Sequence, residues 1–106
     1  MNAMETLDFR FDSAPVSHPA DPALCGVVGS GNLEILVKAG SESTACQVCI
    51  KTAARGFGDT WRAVIGSFAA SHAAGGTDIA INDMGATPAV VSLRLAQALA
   101  EYQGAA

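Results

Sequence analysis

The chain has 106 residues, half of them hydrophobic and 15% charged, which is enough apolar sequence for one packed core and argues against wholesale disorder. Six Lys and Arg stand against ten Asp and Glu, a formal net charge of −4, and the basic residues Arg10, Lys38, Lys51, Arg55, Arg62 and Arg94 are scattered, so a nucleic-acid binder with a basic patch is not expected. No apolar run approaches the ~20 residues of a spanning helix, and Met1-Asn2-Ala3-Met4-Glu5 has neither the basic nor the apolar region of a secretory signal, so a cytoplasmic protein without a membrane segment is expected.

Thr6 to Asp12 alternates strictly, with Leu7, Phe9 and Phe11 on one side and Asp8, Arg10 and Asp12 on the other, the pattern of a half-buried strand. Ser13 to Pro22 carries Pro15, Pro19 and Pro22 and predicts a surface loop holding His18 as a solvated side chain. Ala23 to Val28 and Leu33 to Ala39 are apolar strands joined by Gly29-Ser30-Gly31-Asn32, which reads as a hairpin. After the polar turn Gly40 to Thr44, a strand runs from Cys46 to Thr52. Strands two, three and four are therefore expected to form an antiparallel meander.

The three cysteines are Cys25, Cys46 and Cys49, an odd count that fits reduced thiols. Cys46 and Cys49 form a Cys-x-x-Cys, but positions three apart on a strand point to opposite faces. A zinc knuckle or thioredoxin-type site needs both sulfurs to converge from a tight turn or helix start. Core or half-buried strand cysteines, with no metal, are the expectation.

A helix is expected from an N-cap at Asp59 or Thr60 through Ala74, with Trp61, Val64, Ile65, Phe68 and Ala69 on one face and Arg62 off that stripe. Gly75-Gly76 ends it, and His72 suits its last turn. Thr77 to Asp83 alternates as a strand. Thr87 is a good N-cap and Pro88 a good first residue for a last helix reaching about Gln103, with Val91, Leu95, Leu99 and Tyr102 as its stripe. The order β-β-β-β-α-β-α predicts an α+β two-layer sandwich, an antiparallel-rich sheet of about five strands with two helices on one face. Residues 1–106 read as a single domain, with 1–4 and 104–106 flexible.

Chemistry has few places to reside. Ser30 lies between Gly29 and Gly31 at the hairpin, where flanking glycines allow positive φ and close approach of another protein, as a site of covalent attachment requires. A plain Gly-rich turn explains the same residues. No helix follows to make a dinucleotide site, and no histidine has a placed acid partner to make Ser30 a triad nucleophile. In Asn82-Asp83-Met84-Gly85-Ala86-Thr87-Pro88, Asp83 either braces a turn or binds something at the helix start. No carboxylate pair for acid–base work is identifiable, and no catalytic residue is assigned.

Val27-Val28-Gly29-Ser30-Gly31-Asn32-Leu33-Glu34-Ile35-Leu36, followed by Ile81 to Pro88 and Arg94-Leu95, resembles the acyl carrier (delta) subunits of malonate decarboxylase, over nearly the whole chain. The acyl carrier subunit of citrate lyase is a related alternative, with a similar serine-bearing hairpin but a less clear Asp-x-Gly-Ala-Thr-Pro segment. Asn32 departs from the aspartate, and Met84 from the aromatic, common in the family.

The resemblance implies that Ser30 carries a 2′-(5″-phosphoribosyl)-3′-dephospho-coenzyme A arm through a phosphodiester, with Gly29, Gly31 and Asn32 forming the turn and Asp83 a lesser contact. It implies acetyl and malonyl thioesters carried on that arm during conversion of malonate to acetate and carbon dioxide. The partners implied are acyl transferase and decarboxylase subunits, a prosthetic-group transferase and a malonyl-loading enzyme. A non-catalytic carrier, an unmodified adaptor or assembly protein, and an autonomous hydrolase or redox protein are the three functional classes to separate.

Overall fold

The structure is a computed structural model that describes residues 4–16 and 25–104. Its elements are β1 (Glu5–Asp12), β2 (Cys25–Ser30), β3 (Leu33–Ala39), β4 (Ala45–Thr52), α1 (Gly58–Ser71), β5 (Thr77–Asp83) and α2 (Pro88–Tyr102). The fold is α+β with the order expected. One five-stranded sheet runs β1-β4-β5-β3-β2, with every neighbouring pair antiparallel except β4 and β5.

Alternation along each strand sends one side chain in two toward the helices. Ile35 and Val37 of β3, Val48 and Ile50 of β4, and Ile79 and Ile81 of β5 are buried there against Trp61, Ile65 and Phe68 of α1 and Val91, Leu95 and Leu99 of α2. β1 lies at one sheet edge beneath α1, so Leu7, Phe9 and Phe11 are only half-buried, and the Arg62 guanidinium lies 5.0 Å from the centroid of Phe9. α2 covers β2 and β3. Gly26 is needed where it stands, because a Cβ there would strike Ala98 O and come within 2.6 Å of Tyr102 N.

The expected meander is corrected. β4 does not pair with β3; β5 lies between them, parallel to β4 and antiparallel to β3. The segment from Gly40 to Thr44 straddles the start of β5 instead of making a tight hairpin. Gly40 N donates to Gly76 O (2.8 Å), and Gly76 N donates to Glu42 O (2.9 Å). The central slot gives β5 hydrogen-bonding partners on both sides and seals Ile79 and Ile81, a gain that local pattern does not reveal.

Several boundaries shift. α1 starts at Gly58 with Phe57 as N-cap and no side-chain cap, so neither Asp59 nor Thr60 caps it; Asp59 sits in the first turn, where a negative charge suits the helix dipole. The helix stops at Ser71 because His72 turns to extended backbone (φ −129°, ψ 142°). Ser13 to Val16 is not a free surface loop. Ser13 is buried, its hydroxyl 2.8 Å from Ala69 O and accepting from Ala74 N (3.0 Å), and Val16 N donates to Gly75 O (3.0 Å). His18, the later part of that loop, Ala23, Leu24, residues 1–3 and residues 105–106 lie outside the described residues. No helix among the described residues is long and apolar enough to cross a membrane.

Candidate functional site

β2 continues through Ser30, which pairs with Leu33, so the turn proper is Gly31-Asn32 and not the four residues from Gly29 to Asn32. Gly29, Gly31 and Asn32 are exposed. Neither glycine adopts the positive φ anticipated for it; a Cβ added at either would meet nothing within 4 Å. The space around the hairpin end is therefore open on both sides of Ser30 along the chain. In register, Ser30 belongs to a row that crosses the whole sheet, through Leu33, Asp83 and Thr52 to Glu5.

That row brings the two sequence motifs together. Met84 N donates to Asn32 O (2.9 Å), fastening the segment after β5 to the hairpin turn. Asp83 is buried, at 2% exposure, and both carboxylate oxygens are used by the chain itself. One accepts from Ala86 N (2.8 Å) and Gly85 N (3.2 Å), the other from the Thr52 hydroxyl (2.8 Å). Gly85 permits the loop by taking φ +110°. Of the two roles open to Asp83 in the sequence, the geometry is that of a brace. Thr52 went unnoticed as its partner: nothing local in the sequence marks a threonine at the end of β4 as the donor to a carboxylate at the end of β5.

Thr87 caps α2 as expected, its hydroxyl accepting from Val90 N (3.4 Å), with Pro88 as the first helical residue. Between the N-terminal ends of the two helices lies a cavity of about 410 Å³. Trp61 and Val64 come from α1, Pro88 and Val91 from α2, and Gly85 and Ala86 from the braced loop; Asp83 is its one carboxylate. Phe57 lines it while half in solvent, at 52% exposure. Sequence reading missed this cavity, because its walls meet only after the helices dock.

Cys46 is buried and Cys49 half-buried, on opposite sides of β4 as expected. Burial pushes both thiols up, and at Cys49 the facing Asp8 carboxylate adds to the rise. No group of three or more possible metal ligands occurs among the described residues. His72 is exposed at the end of α1, its ring stacked 5.0 Å from Phe68 and 3.0 Å from the Ser71 hydroxyl. It lies by the start of β5, whereas Ser30 lies level with that strand's far end, roughly 20 Å away along seven residues. No Ser30–His72 pair forms.

Comparison with known proteins adds to this geometry. A family model described as malonate decarboxylase delta subunit (MdcD) matches residues 20–102. The chain belongs to the malonate decarboxylase acyl carrier protein family. It is 48% identical over 101 residues to the malonate decarboxylase acyl carrier protein of Acinetobacter calcoaceticus, covering 95% of this chain and 99% of that one. It is 54% identical over 103 residues to the protein of the same description from Xanthomonas campestris pv. campestris strain B100, covering 96% and 98%. It also resembles a chain in the crystal structure of a Pseudomonas malonate decarboxylase hetero-tetramer in complex with malonate. The TM-score is 0.77 at 30% identity, covering 93% of this chain and 99% of that chain.

Proposed function

We propose that this chain is the acyl carrier subunit of a cytoplasmic, multi-subunit malonate decarboxylase. In this reading it carries acetyl and malonyl groups on a phosphoribosyl-dephospho-coenzyme A arm attached to Ser30. The observation that carries the reading is the open hairpin end: Ser30 closes β2 beside exposed Gly29, Gly31 and Asn32, in a chain of the acyl carrier protein family. Space at Gly29 and Gly31 fits a bulky substituent on the residue between them.

The arm supplies a terminal thiol for thioester exchange. The chain's own residues provide the support. The β2–β3 pairing and the Met84–Asn32 hydrogen bond hold the hairpin end at one corner of the sheet, and the Asp83 brace stiffens the loop that supports it. A tethered group meets successive partners at high effective concentration. The net charge of −4 suits docking on basic patches of acyl transferase and decarboxylase subunits, which in this reading contribute the catalytic groups.

Intact-protein mass spectrometry after co-expression with a prosthetic-group transferase tests the reading. The wild-type chain gains the mass of the arm and Ser30→Ala does not. A chain that stays unmodified, in a complex that works equally well with Ser30→Ala, is an adaptor and not a carrier.

A further inference from the structure

One wall of the cavity between the helix N-termini is the braced loop from Asp83 to Ala86, and the rest of its lining is apolar apart from Thr60. It sits close to the hairpin. Asp83, in its wall, is two strands from Ser30, about 10 Å at the usual strand spacing. The loop of Gly85 and Ala86 is tied to the turn residue Asn32 through Met84. The amide-linked end of a coenzyme A-type arm alone is about as long as five extended residues, roughly 16 Å. An arm on Ser30 therefore reaches the cavity with chain to spare.

We infer that this cavity shelters the neutral, acetyl-bearing end of the arm on Ser30 and rejects the malonyl-bearing end; the inference rests on the carrier reading above. Trp61, Val64, Pro88 and Val91 offer apolar contact to a methyl group and its thioester. The Asp83 oxygens are already bonded to Thr52, Gly85 and Ala86, so the wall presents a fixed negative charge and no described cation. A malonyl carboxylate entering it would be desolvated beside a like charge. The device keeps the resting acetyl thioester from water and leaves the malonyl form outside, free for a partner. Phe57, in the lining and 52% exposed, extends the apolar path outward.

Trp61 is the chain's single tryptophan and reports the cavity directly. Full-length carrier is prepared without arm, acetyl-loaded and malonyl-loaded, each state verified by intact mass, and Trp61 emission and thioester lifetime are measured. Acetyl loading is expected to change the emission while malonyl loading leaves it as in the unmodified chain. Filling the cavity with Ala86→Leu, or with Ala54→Leu as an independent second variant, abolishes the change. Acetyl thioester is then lost about tenfold faster, as for an end sheltered about nine-tenths of the time. Equal emission in the acetyl- and malonyl-loaded wild type overturns the inference without any variant. A chain that never gains the arm overturns the carrier reading itself, whereas a loaded chain with unchanged Trp61 overturns only the shelter.

Discussion

Met84 N donates to the carbonyl of Asn32 at 2.9 Å, joining the loop after the central strand to the turn beside Ser30. The register pair Leu33–Asp83 lies immediately next to this bond, so the hairpin end and the Asp83 loop behave as one unit. Stability of that corner therefore depends on groups far from Ser30 in sequence.

Asp83→Ala leaves the N–H groups of Gly85 and Ala86 without their acceptor and the Thr52 hydroxyl with only the Ala54 carbonyl at 3.4 Å. Unmade hydrogen bonds to a buried charged group cost about 2–3 kcal/mol. Urea denaturation is expected to show a loss of that size, and Thr52→Val also destabilises: Asp83 keeps its two backbone donors but loses the hydroxyl, and the Ala54 N–H loses its acceptor (3.1 Å).

Two glycines of β2 should respond oppositely to alanine. Gly26→Ala drives a methyl into the backbone of α2 at Ala98 and Tyr102 and is expected to cost about 3 kcal/mol by overpacking. Gly29→Ala places its methyl in open space and should stay within ~0.5 kcal/mol of wild type. Thermal unfolding of the two variants separates a packing requirement from a turn requirement.

Leu95 is fully buried on α2, two positions from Leu93, which is 55% exposed. Leu95→Ala is expected to lose roughly 2–5 kcal/mol through the cavity it leaves. Leu93→Ala should change little, since truncation of an exposed side chain creates no cavity. Equal losses would mean that α2 packs with a different face.

Cys46 and Cys49 should resist alkylation in the folded chain near neutral pH, with Cys49, the less buried, reacting first when pH is raised. Peptide mapping after brief iodoacetamide treatment reads each site separately. The linkage has a definite sign. Both folded thiols ionise above the ordinary value of about 8.5, so their contribution is fully present below that pH. It is lost as pH rises from there through the folded values, because the unfolded thiols ionise first.

Sequence pattern predicted each secondary-structure element because the relevant forces act over one or two turns. The alternation of Leu7, Phe9 and Phe11, the spacing of Trp61, Ile65 and Phe68, and the Thr87-Pro88 start of α2 all appear as expected. The opposite facing of Cys46 and Cys49 follows from strand geometry alone. Where local rules competed, they misled: α1 begins without the side-chain cap that Asp59 or Thr60 offered, and Gly29 and Gly31 sit at negative or extended φ.

The order of strands, the Asp83–Thr52 brace and the cavity beside Trp61 came only with the tertiary structure. An alternating strand carries the same signal whichever neighbour it hydrogen-bonds, so nothing in Thr77 to Asp83 distinguishes a central strand from an edge. That choice was made by how much apolar surface β5 buries when inserted between β3 and β4. The chain alone thus determined its elements and its serine-bearing hairpin, through local periodicity and turn chemistry. Long-range packing decided what stands beside that hairpin, because burial is a property of surfaces that meet only once the sheet is assembled.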